Sequence, residues 1–461
     1  MKNKDIPLTH LDLLMWNVNH PTGLTNITAI KFFKAKLDAK RVTKIYEDKI
    51  LKFEKFREKV VIKNGKPVWQ EDELFDIRSH VHKIALPGDG NEKELQTLIS
   101  DLISTPLDYS KPLWQIHIIE NYNGGTAILW RIGHAIGDGV SLMTTFLSLT
   151  DNFDPEKDTF HKIRTKHSES HTSKKINWKE KLQQAAELSK KTIEKSKELI
   201  KNPEPLQQAF SAVKNTAKDL TSFIMSSTNA KSIYKGELGV RKKVAWSNVI
   251  PLADIKKIGK YYGSTVNDTL LVAVTGAMRK HMLKHGQHLD IKFNIACPVD
   301  MRRNDVEIDL GNKVGVILLD LPIGIQNIKE RFRVISEKTQ QLRSSLEPPL
   351  SHFYGQFISD FIPKRIEEAG AKFLGSKLMA LLSNVPGPKR ALNFAGEEID
   401  NLMFFLPHTY EMGIGFSVLS YNNKVTLGVT VDAKIIKDPE AIAEFFETEI
   451  ELMLATIDTV K

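Results

Sequence analysis

A short stretch of the chain brings together an imidazole, a carboxylate and three glycines. It reads Gly133-His134-Ala135-Ile136-Gly137-Asp138-Gly139. An imidazole titrates near neutral pH, so His134 could take a proton from a hydroxyl group. The carboxylate of Asp138 could hold the local backbone or pair with an arginine elsewhere. These residue types suit acyl transfer, although a single histidine beside an apolar strand is also compatible with a purely structural role.

Strand and helix patterns flank this stretch. The apolar run from Thr126 to Ile132 predicts a strand, and Asn123-Gly124-Gly125 predicts the hairpin turn that precedes it. A second strand is predicted from Leu113 to Ile119, and a helix from Val140 onwards. The histidine is therefore expected just past the end of a strand. The glycines that follow it are expected to allow a tight turn into the helix.

Length, charge and cysteine content narrow the class of protein. The chain has 461 residues, 41% of them hydrophobic, which suffices for two or three domains with real cores. A formal net charge of +9 suits an anionic partner such as membrane lipid, acyl-CoA or nucleic acid, but no nucleic-acid recognition motif is present. The single cysteine, Cys297, excludes an internal disulfide framework and a cysteine-rich metal site. We predict no metal site.

The sequence carries no signal for export or for membrane insertion. Its first residues lack the apolar core of a signal peptide. No stretch reaches the ~20 apolar residues that a membrane-spanning helix needs. We therefore expect a cytoplasmic protein that is soluble or bound peripherally.

Composition divides the chain into three parts. Residues 1–166 mix strand and helix patterns, and so do residues 236–461, where Gly263 to Asp268 is expected to cap a helix from Thr269 to Leu283. Residues 167–235 are rich in lysine, with apolar residues near helical spacing, which predicts a basic amphipathic segment. Two α/β halves joined by a basic helical linker are expected. The linker is either a solvated connection or a contact with a membrane surface.

Further motifs stand in a fixed order around the histidine. They are Pro7-Leu8-Thr9-His10-Leu11-Asp12, Pro112-Leu113-Trp114, Asn267-Asp268, Pro298-Val299-Asp300-Met301-Arg302, Leu310-Gly311-Asn312 and Ser383-Asn384-Val385-Pro386-Gly387-Pro388. Taken together with H-x-x-x-D-G, this order resembles the bacterial wax ester synthase/acyl-CoA:diacylglycerol acyltransferase family over nearly the whole chain. That family belongs to the CoA-dependent acyltransferase superfamily, which also holds peptide-synthetase condensation domains.

The resemblance implies a fold and a reaction. The fold would be two chloramphenicol-acetyltransferase-like α/β domains with mixed sheets, and a channel between them would admit acyl-CoA from one side. A long-chain alcohol or diacylglycerol would enter from the other side and receive the acyl group. Acyl-CoA would be a substrate, and no cofactor is needed because the thioester is already activated. Contact with a membrane or a lipid droplet through the basic linker is compatible with this activity.

The resemblance also implies roles for single residues. The family motif is H-H-x-x-x-D-G, whose second histidine is the general base, and this residue is kept as His134. Gly133 replaces the first histidine, a departure that we expect to alter packing or orientation more than proton transfer and that bears on activity and substrate preference. Asp138 would be structural within the site, with Arg302 as its candidate cation; Arg302 could instead be an ordinary surface charge.

Asn267 has two readings: it could orient the site or donate to the developing oxyanion, or it could cap a helix. A rigid turn that shapes the channel is expected at Asn384, Pro386 and Gly387. Gly137 and Gly139 are the glycines assigned to the tight turn after the histidine.

Two other functions stay open at this point. One is O-acyl transfer within the same superfamily to a different acceptor; a peptide-synthetase role is disfavoured because the chain has no carrier-protein module. The other is a non-catalytic homologue that binds acyl chains or associates with lipid droplets, which the replacement at Gly133 alone supports.

Overall fold

The computed structural model describes residues 5–158, 232–300, 310–312, 314–344, 375–408 and 411–459. Within these ranges the chain forms seventeen strands and nine α-helices in a mixed α/β arrangement. The predicted linker at 167–235 lies almost entirely outside the described residues. The domain boundaries at 166 and 235 therefore stay predictions.

The strands are β1 (Ile6–Pro7), β2 (Asn26–Phe33), β3 (Glu58–Lys63), β4 (Lys66–Glu71), β5 (Val81–Ala85), β6 (Trp114–Tyr122), β7 (Gly125–Gly133), β8 (Lys242–Trp246), β9 (Ile250–Pro251), β10 (Phe293–Asp300), β11 (Val314–Leu321), β12 (Ala380–Pro386), β13 (Asn393–Phe394), β14 (Glu397–Glu398), β15 (Asn401–Phe405), β16 (Ile414–Tyr421) and β17 (Lys424–Asp432). The helices are α1 (His10–Asn17), α2 (Ala39–Lys49), α3 (Glu92–Ile103), α4 (Gly139–Ser148), α5 (Pro155–Asp158), α6 (Leu252–Tyr261), α7 (Val266–Lys284), α8 (Ile328–Ser344) and α9 (Pro439–Asp458).

The first sheet carries the histidine motif at the end of its central strand. Its order is β15-β2-β7-β6-β5, in which β5 is parallel to β6 and the other neighbours are antiparallel. The predicted hairpin is confirmed: β6 and β7 are joined by a turn in which Asn123 and Gly124 have φ of 46° and 80°. Glycine and asparagine tolerate this left-handed backbone best. His134 follows β7 directly, as expected.

The second sheet is built from residues of the later part of the chain. Its order is β11-β10-β12-β16-β17-β8, and β9 also pairs with β17. β12 runs parallel to β10 and β16, whereas the other neighbours are antiparallel, so the sheet is mixed. α7 and α9 pack against this sheet in one hydrophobic core, and residues 268–278 of α7 are all buried.

One strand of the first sheet comes from the later part of the chain. β15 belongs to the later part of the chain, yet it pairs antiparallel with β2 of the first sheet, with Met403 opposite Ile30. Four of the first sheet's five strands therefore precede residue 134 and the fifth follows residue 400. The sequence pattern did not predict this pairing, because a strand pattern identifies a strand but not its distant partner.

The start of α7 differs from the prediction for a local reason. The helix begins at Val266, not at Thr269, because Thr265 is its N-cap. The Thr265 hydroxyl accepts a hydrogen bond from the Asp268 amide at 3.2 Å, and the Asp268 carboxylate accepts one from the Thr265 amide at 3.1 Å. This reciprocal capping box satisfies two amides at the helix start. The reading of Asn267 as a helix cap is therefore wrong.

A buried ion pair joins the second sheet to the first half of the chain. Lys242 of β8 pairs with Asp432 of β17, and both side chains are buried. The Lys242 ammonium also donates to the carbonyls of Thr22, at 2.9 Å, and Gly239, at 2.8 Å. Burying a charge is tolerated only when it is paired and hydrogen-bonded, and here all three contacts contribute.

We expect Lys242→Met to destabilise the fold by about 3–5 kcal/mol, because Asp432 would remain as a buried charge without its cation. Urea unfolding followed by fluorescence measures this loss. The control is Lys243→Met, whose ammonium reaches the Lys437 carbonyl in an exposed contact and whose loss should cost less than about 0.5 kcal/mol. Equal midpoints for the two variants would contradict the assignment.

Candidate active site

Backbone hydrogen bonds fix the position of the histidine. The His134 amide donates to the Thr25 carbonyl at 2.9 Å, in continuation of the pairing between β2 and β7. The His134 carbonyl accepts a hydrogen bond from Nδ2 of Asn312 at 2.9 Å. Both peptide groups of this residue are thus held by segments distant in sequence, one from each half of the chain.

Asn312 belongs to a cluster around a buried carboxylate. Asp12 is fully buried; its Oδ2 lies 2.9 Å from Nζ of Lys55, and its Oδ1 accepts from Nδ2 of Asn312 at 2.7 Å. Lys55 also donates to the Ile136 carbonyl at 3.3 Å. We call Asp12, Lys55 and Asn312 the Asp12 clamp. Through Asn312 and Lys55 this clamp holds the loop after β7 at two backbone carbonyls, those of His134 and Ile136.

The clamp explains two motifs whose roles the sequence did not reveal. Pro7 to Asp12 and Leu310 to Asn312 were noticed for their order alone, and the structure brings their last residues together beside the histidine. The signal for Asp12 and Asn312 was present as an unassigned motif. Lys55 gave no signal, because it is one lysine among many in a lysine-rich chain.

Asp138 holds the start of α4. Its Oδ1 accepts hydrogen bonds from the amides of Val140, at 3.1 Å, and Ser141, at 3.0 Å, so it is the N-cap of the helix. A carboxylate is favoured there because it satisfies free amides and faces the positive end of the helix dipole. This is one of the two roles expected from the sequence. Arg302, the cation predicted to pair with Asp138, lies outside the described residues.

Different constraints act on the two glycines Gly137 and Gly139 of the motif. Neither Gly137 nor Gly139 has φ in the left-handed region, so the turn itself does not demand glycine at either position. A Cβ at Gly137 would lie 2.6 Å from the Ser141 hydroxyl, so close packing accounts for that residue. Gly139, the first residue of α4, has nothing within 4 Å of its Cβ position. The structure gives no packing reason for it.

Gly133 packs against the Pro112-Leu113-Trp114 motif. Its amide donates to the Leu113 carbonyl at 2.8 Å, and a Cβ on Gly133 would lie 3.0 Å from Cβ of Leu113. Leu113 would have to yield to any larger residue. Trp114 is buried and donates from Nε1 to the Phe56 carbonyl, as befits a core residue.

The structure joins Asn267 to the turn predicted near residue 386. Nδ2 of Asn384 donates to Oδ1 of Asn267 at 3.0 Å. Val385 points into the core cluster that also holds Ala135 and Ile136. A Cβ at Gly387 would lie 2.3 Å from the Ser420 carbonyl oxygen, so only glycine fits at this position. Among the described contacts no hydrogen bond links Asn267 or Asn384 to His134.

Burial sets the ionisation of the histidine. Desolvation lowers the pKa of His134 below its usual value of 6.5, and the carboxylates of Asp138 and Asp12 and the Asn312 side chain oppose this shift. The ring is therefore neutral at pH 7 and able to accept a proton. Within the described part of the chain, its Nδ1 and the Oδ1 of Asn312 are enclosed without a hydrogen bond. These two atoms are complementary, since a protonated Nδ1 is a donor and an amide oxygen is an acceptor.

Family comparisons identify the family of the chain. Residues 8–270 match the model of the wax ester synthase/diacylglycerol acyltransferase catalytic domain, and residues 310–454 match the C-terminal domain of the same family. A probable diacylglycerol O-acyltransferase of Mycobacterium tuberculosis is 24% identical over 397 residues, which cover 85% of this chain and 82% of that protein. The O-acyltransferase WSD of Acinetobacter baylyi is 26% identical over 415 residues, covering 84% and 83%.

Solved structures show the same fold. The wax ester synthase/diacylglycerol acyltransferase of Marinobacter aquaeolei VT8 superposes with a TM-score of 0.68 at 19% identity, covering 98% of this chain and 99% of that one. A starter condensation domain of rhizomide synthetase, solved in complex with C8-CoA, gives a TM-score of 0.59 at 11% identity, covering 98% and 94%. The fold class expected from the sequence is confirmed.

The fold is thus one that acyltransferases share with condensation domains, and the protein is an acyltransferase. The family models cover most of the chain, so it belongs to the wax ester synthase/diacylglycerol acyltransferase family. Within the described residues no helix is long and apolar enough to cross a membrane.

Loss of the clamp should affect both turnover and stability. We expect Asn312→Leu to lower acyl transfer at least about 100-fold, the lower end of what a positioned proton-transfer group contributes. The reason is that the His134 carbonyl would lose the side-chain amide that donates to it. The lost hydrogen bonds should also cost about 1–3 kcal/mol of stability.

Asn294→Leu is the matched control for this variant. Asn294 and Asn312 are equally buried, at 8% exposure, but within the described residues the Asn294 side chain donates only to the Lys377 carbonyl. CoA release and urea unfolding are measured for both variants. Similar losses of turnover in the two would show that the clamp has no special role.

Proposed function

We propose that the protein transfers a fatty acyl group from acyl-CoA to the hydroxyl of a long-chain alcohol or of diacylglycerol, with His134 as the general base. The observation that carries this proposal is a neutral imidazole held by its backbone at the end of β7. A base that is neutral at working pH and fixed in position is what proton abstraction from an alcohol requires.

The reaction balances without a covalent enzyme intermediate. Nε2 of His134 takes the proton of the acceptor hydroxyl while that oxygen attacks the thioester carbonyl. The carbon–sulfur bond then breaks, an ester forms, and the imidazolium returns its proton to the CoA thiolate. The thioester supplies the activation, so the reaction needs only binding, orientation and one base.

Asn312 supports the correct tautomer in this proposal. For Nε2 to act as base, Nδ1 must carry the proton, and Oδ1 of Asn312 is an enclosed acceptor that no donor of the described residues reaches. A hydrogen bond from Nδ1 to this oxygen would orient the ring in the reacting complex. The negative charge of Asp138 favours the imidazolium as it forms, as its effect on the pKa of His134 indicates.

Asn267 is proposed to stabilise the oxyanion. Its Oδ1 is engaged by Asn384, which fixes the amide and leaves Nδ2 to donate, and the residue is exposed in the first turn of α7. An amide donor near the N-terminus of a helix suits developing negative charge. Asn384, Pro386 and Gly387 would then shape the channel wall and position Asn267.

The acceptor classes come from the relatives. The names of the Mycobacterium and Acinetobacter proteins describe diacylglycerol O-acyltransferase and O-acyltransferase activities. The net charge of +9 suits acyl-CoA and anionic lipid surfaces. Peripheral contact with a membrane or lipid droplet through residues 167–235 remains a prediction.

The decisive experiment is a thiol-release assay with palmitoyl-CoA. We expect CoA release to depend on an added acceptor, hexadecanol or dipalmitoylglycerol, and to fall at least about 100-fold in His134→Ala. His408→Ala is the control: this histidine is buried and bonded to the Thr430 carbonyl, and no described hydrogen bond links it to His134.

Alcohols of several chain lengths and diacylglycerol, compared side by side, rank the acceptors. If CoA is released with neither long-chain alcohols nor diacylglycerol but with another alcohol, the enzyme is a superfamily acyltransferase for a different acceptor. Binding of palmitoyl-CoA without any release would favour a non-catalytic homologue. Near-normal turnover in His134→Ala would refute the assignment of the base.

The pH dependence follows from the lowered pKa of His134. The base form persists to lower pH than it would for an exposed imidazole, so the midpoint of the acid limb of kcat/KM should lie below pH 6.5. Asp138→Asn removes a charge that raises this pKa, so it should move the acid limb to still lower pH. An acid limb centred above 6.5 in the unmodified enzyme would contradict a base whose pKa is lowered by desolvation.

A further inference from the structure

Three metal-ligating side chains meet at the end of α7 that is remote from the catalytic motif. His281 lies in the last turn of α7 and His285 is the residue that follows its end, with their ring centroids 4.5 Å apart. Asp438 approaches both imidazoles from the start of α9. Nε2 of each histidine lies 3.1 Å from Oδ1 of Asp438. The three ligand atoms all lie within 4.8 Å of one another.

We infer that His281, His285 and Asp438 form a binding site for a divalent transition metal ion, most suitably Zn²⁺. Two imidazoles and one carboxylate are a known donor set for zinc, with water completing a tetrahedron. Zinc–ligand distances of about 2.0–2.1 Å place neighbouring ligand atoms about 3.3 Å apart in a tetrahedron. The two nitrogen–oxygen distances of 3.1 Å are close to that separation.

The surroundings of the ligands support a metal site. The Tyr234 hydroxyl lies 2.7 Å from Nδ1 of His281, which occupies that nitrogen and directs Nε2 to the cluster. Lys284 donates to Oδ2 of Asp438 at 2.6 Å and leaves Oδ1 for the ion. Hydrogen bonds of this kind orient the ligands in metal sites and tune their basicity.

Asp438 does not perform the role that its position would suggest. It is the N-cap residue of α9, where aspartate usually accepts from the first helix amides, yet its side chain makes no capping hydrogen bond. It faces the two imidazoles instead.

The ion would act on structure. His281 is fourteen residues from Asn267 on the same helix, which corresponds to about 21 Å at 1.5 Å per residue. The site links the end of α7, the start of α9 and the segment that holds Tyr234. We therefore expect the metal to stabilise the second half of the chain and to leave acyl transfer unchanged. The single cysteine excluded a thiolate site but not one built from imidazole and carboxylate.

The test uses the full chain without an affinity tag, freed of metal by a chelator. Calorimetric titration with Zn²⁺ should give one bound ion per chain, and Co²⁺ should give the visible absorption of a tetrahedral complex. Zn²⁺ should also raise the melting temperature, because a ligand that binds the folded state stabilises it.

His285→Ala is the informative variant, because this side chain is 39% exposed and its loss leaves the core intact. It should weaken zinc binding by at least about 100-fold, since loss of an outer partner alone costs 10–100-fold. His288→Ala, an exposed histidine three residues on, should bind as the unmodified chain does. Absence of stoichiometric binding, or equal affinity in both variants, would overturn the inference whether or not acyl transfer is observed.

Discussion

The geometry of the catalytic loop depends on one buried charge. The carboxylate of Asp12 is fully removed from solvent and is compensated by one cation, Lys55, and one amide, Asn312. Both partners have a second hydrogen bond, and both second bonds end on backbone carbonyls of the loop after β7. A buried charge that loses a partner destabilises the fold. The need of the Asp12 carboxylate for Lys55 and Asn312 therefore holds three distant segments in one arrangement. The backbone of His134 is positioned as a consequence.

Contacts between distant segments of the chain also connect the two sheets. β15 crosses from the later part of the chain to pair with β2, and the His134 amide is bonded to the carbonyl that immediately precedes β2. Lys242 adds a second tie, from β8 to the Thr22 carbonyl. Chain segments on both sides of residues 159–231 therefore contribute to the position of the histidine. The site is a product of the whole fold and not of one half.

Local features of the fold were predictable, because they depend on neighbours in sequence. The β6–β7 hairpin follows from its turn residues and apolar runs, and the helix after the motif follows from its own pattern. The start of α7 was predicted three residues late, because Thr265 and Asp268 compete with Asn267 as capping residues and only their geometry decides. Periodicity locates elements better than it locates their ends.

Long-range features were not predictable from pattern alone. The partner of β15 lies some 370 residues earlier in the chain, and no spacing rule encodes such a pairing. Lys55 resembles every other lysine until the fold places it beside Asp12. The metal-ligand cluster likewise requires that the end of α7 meet the start of α9. A four-residue histidine spacing supplies two of its ligands, but the third comes from a separate element.

Gly133 departs from the family motif at a position that affects packing beside His134. The resemblance places a histidine at this position, and the structure places Leu113 within 3.0 Å of where its Cβ would stand. A histidine there would have to displace Leu113, so the replacement changes the packing between the Pro112-Leu113-Trp114 motif and the end of β7. The contacts that hold His134 are made by the backbone and by Asn312, and none involves a side chain at 133. The substitution therefore acts on the shape of the site, and any change in acceptor preference would arise from that shape and not from loss of the base.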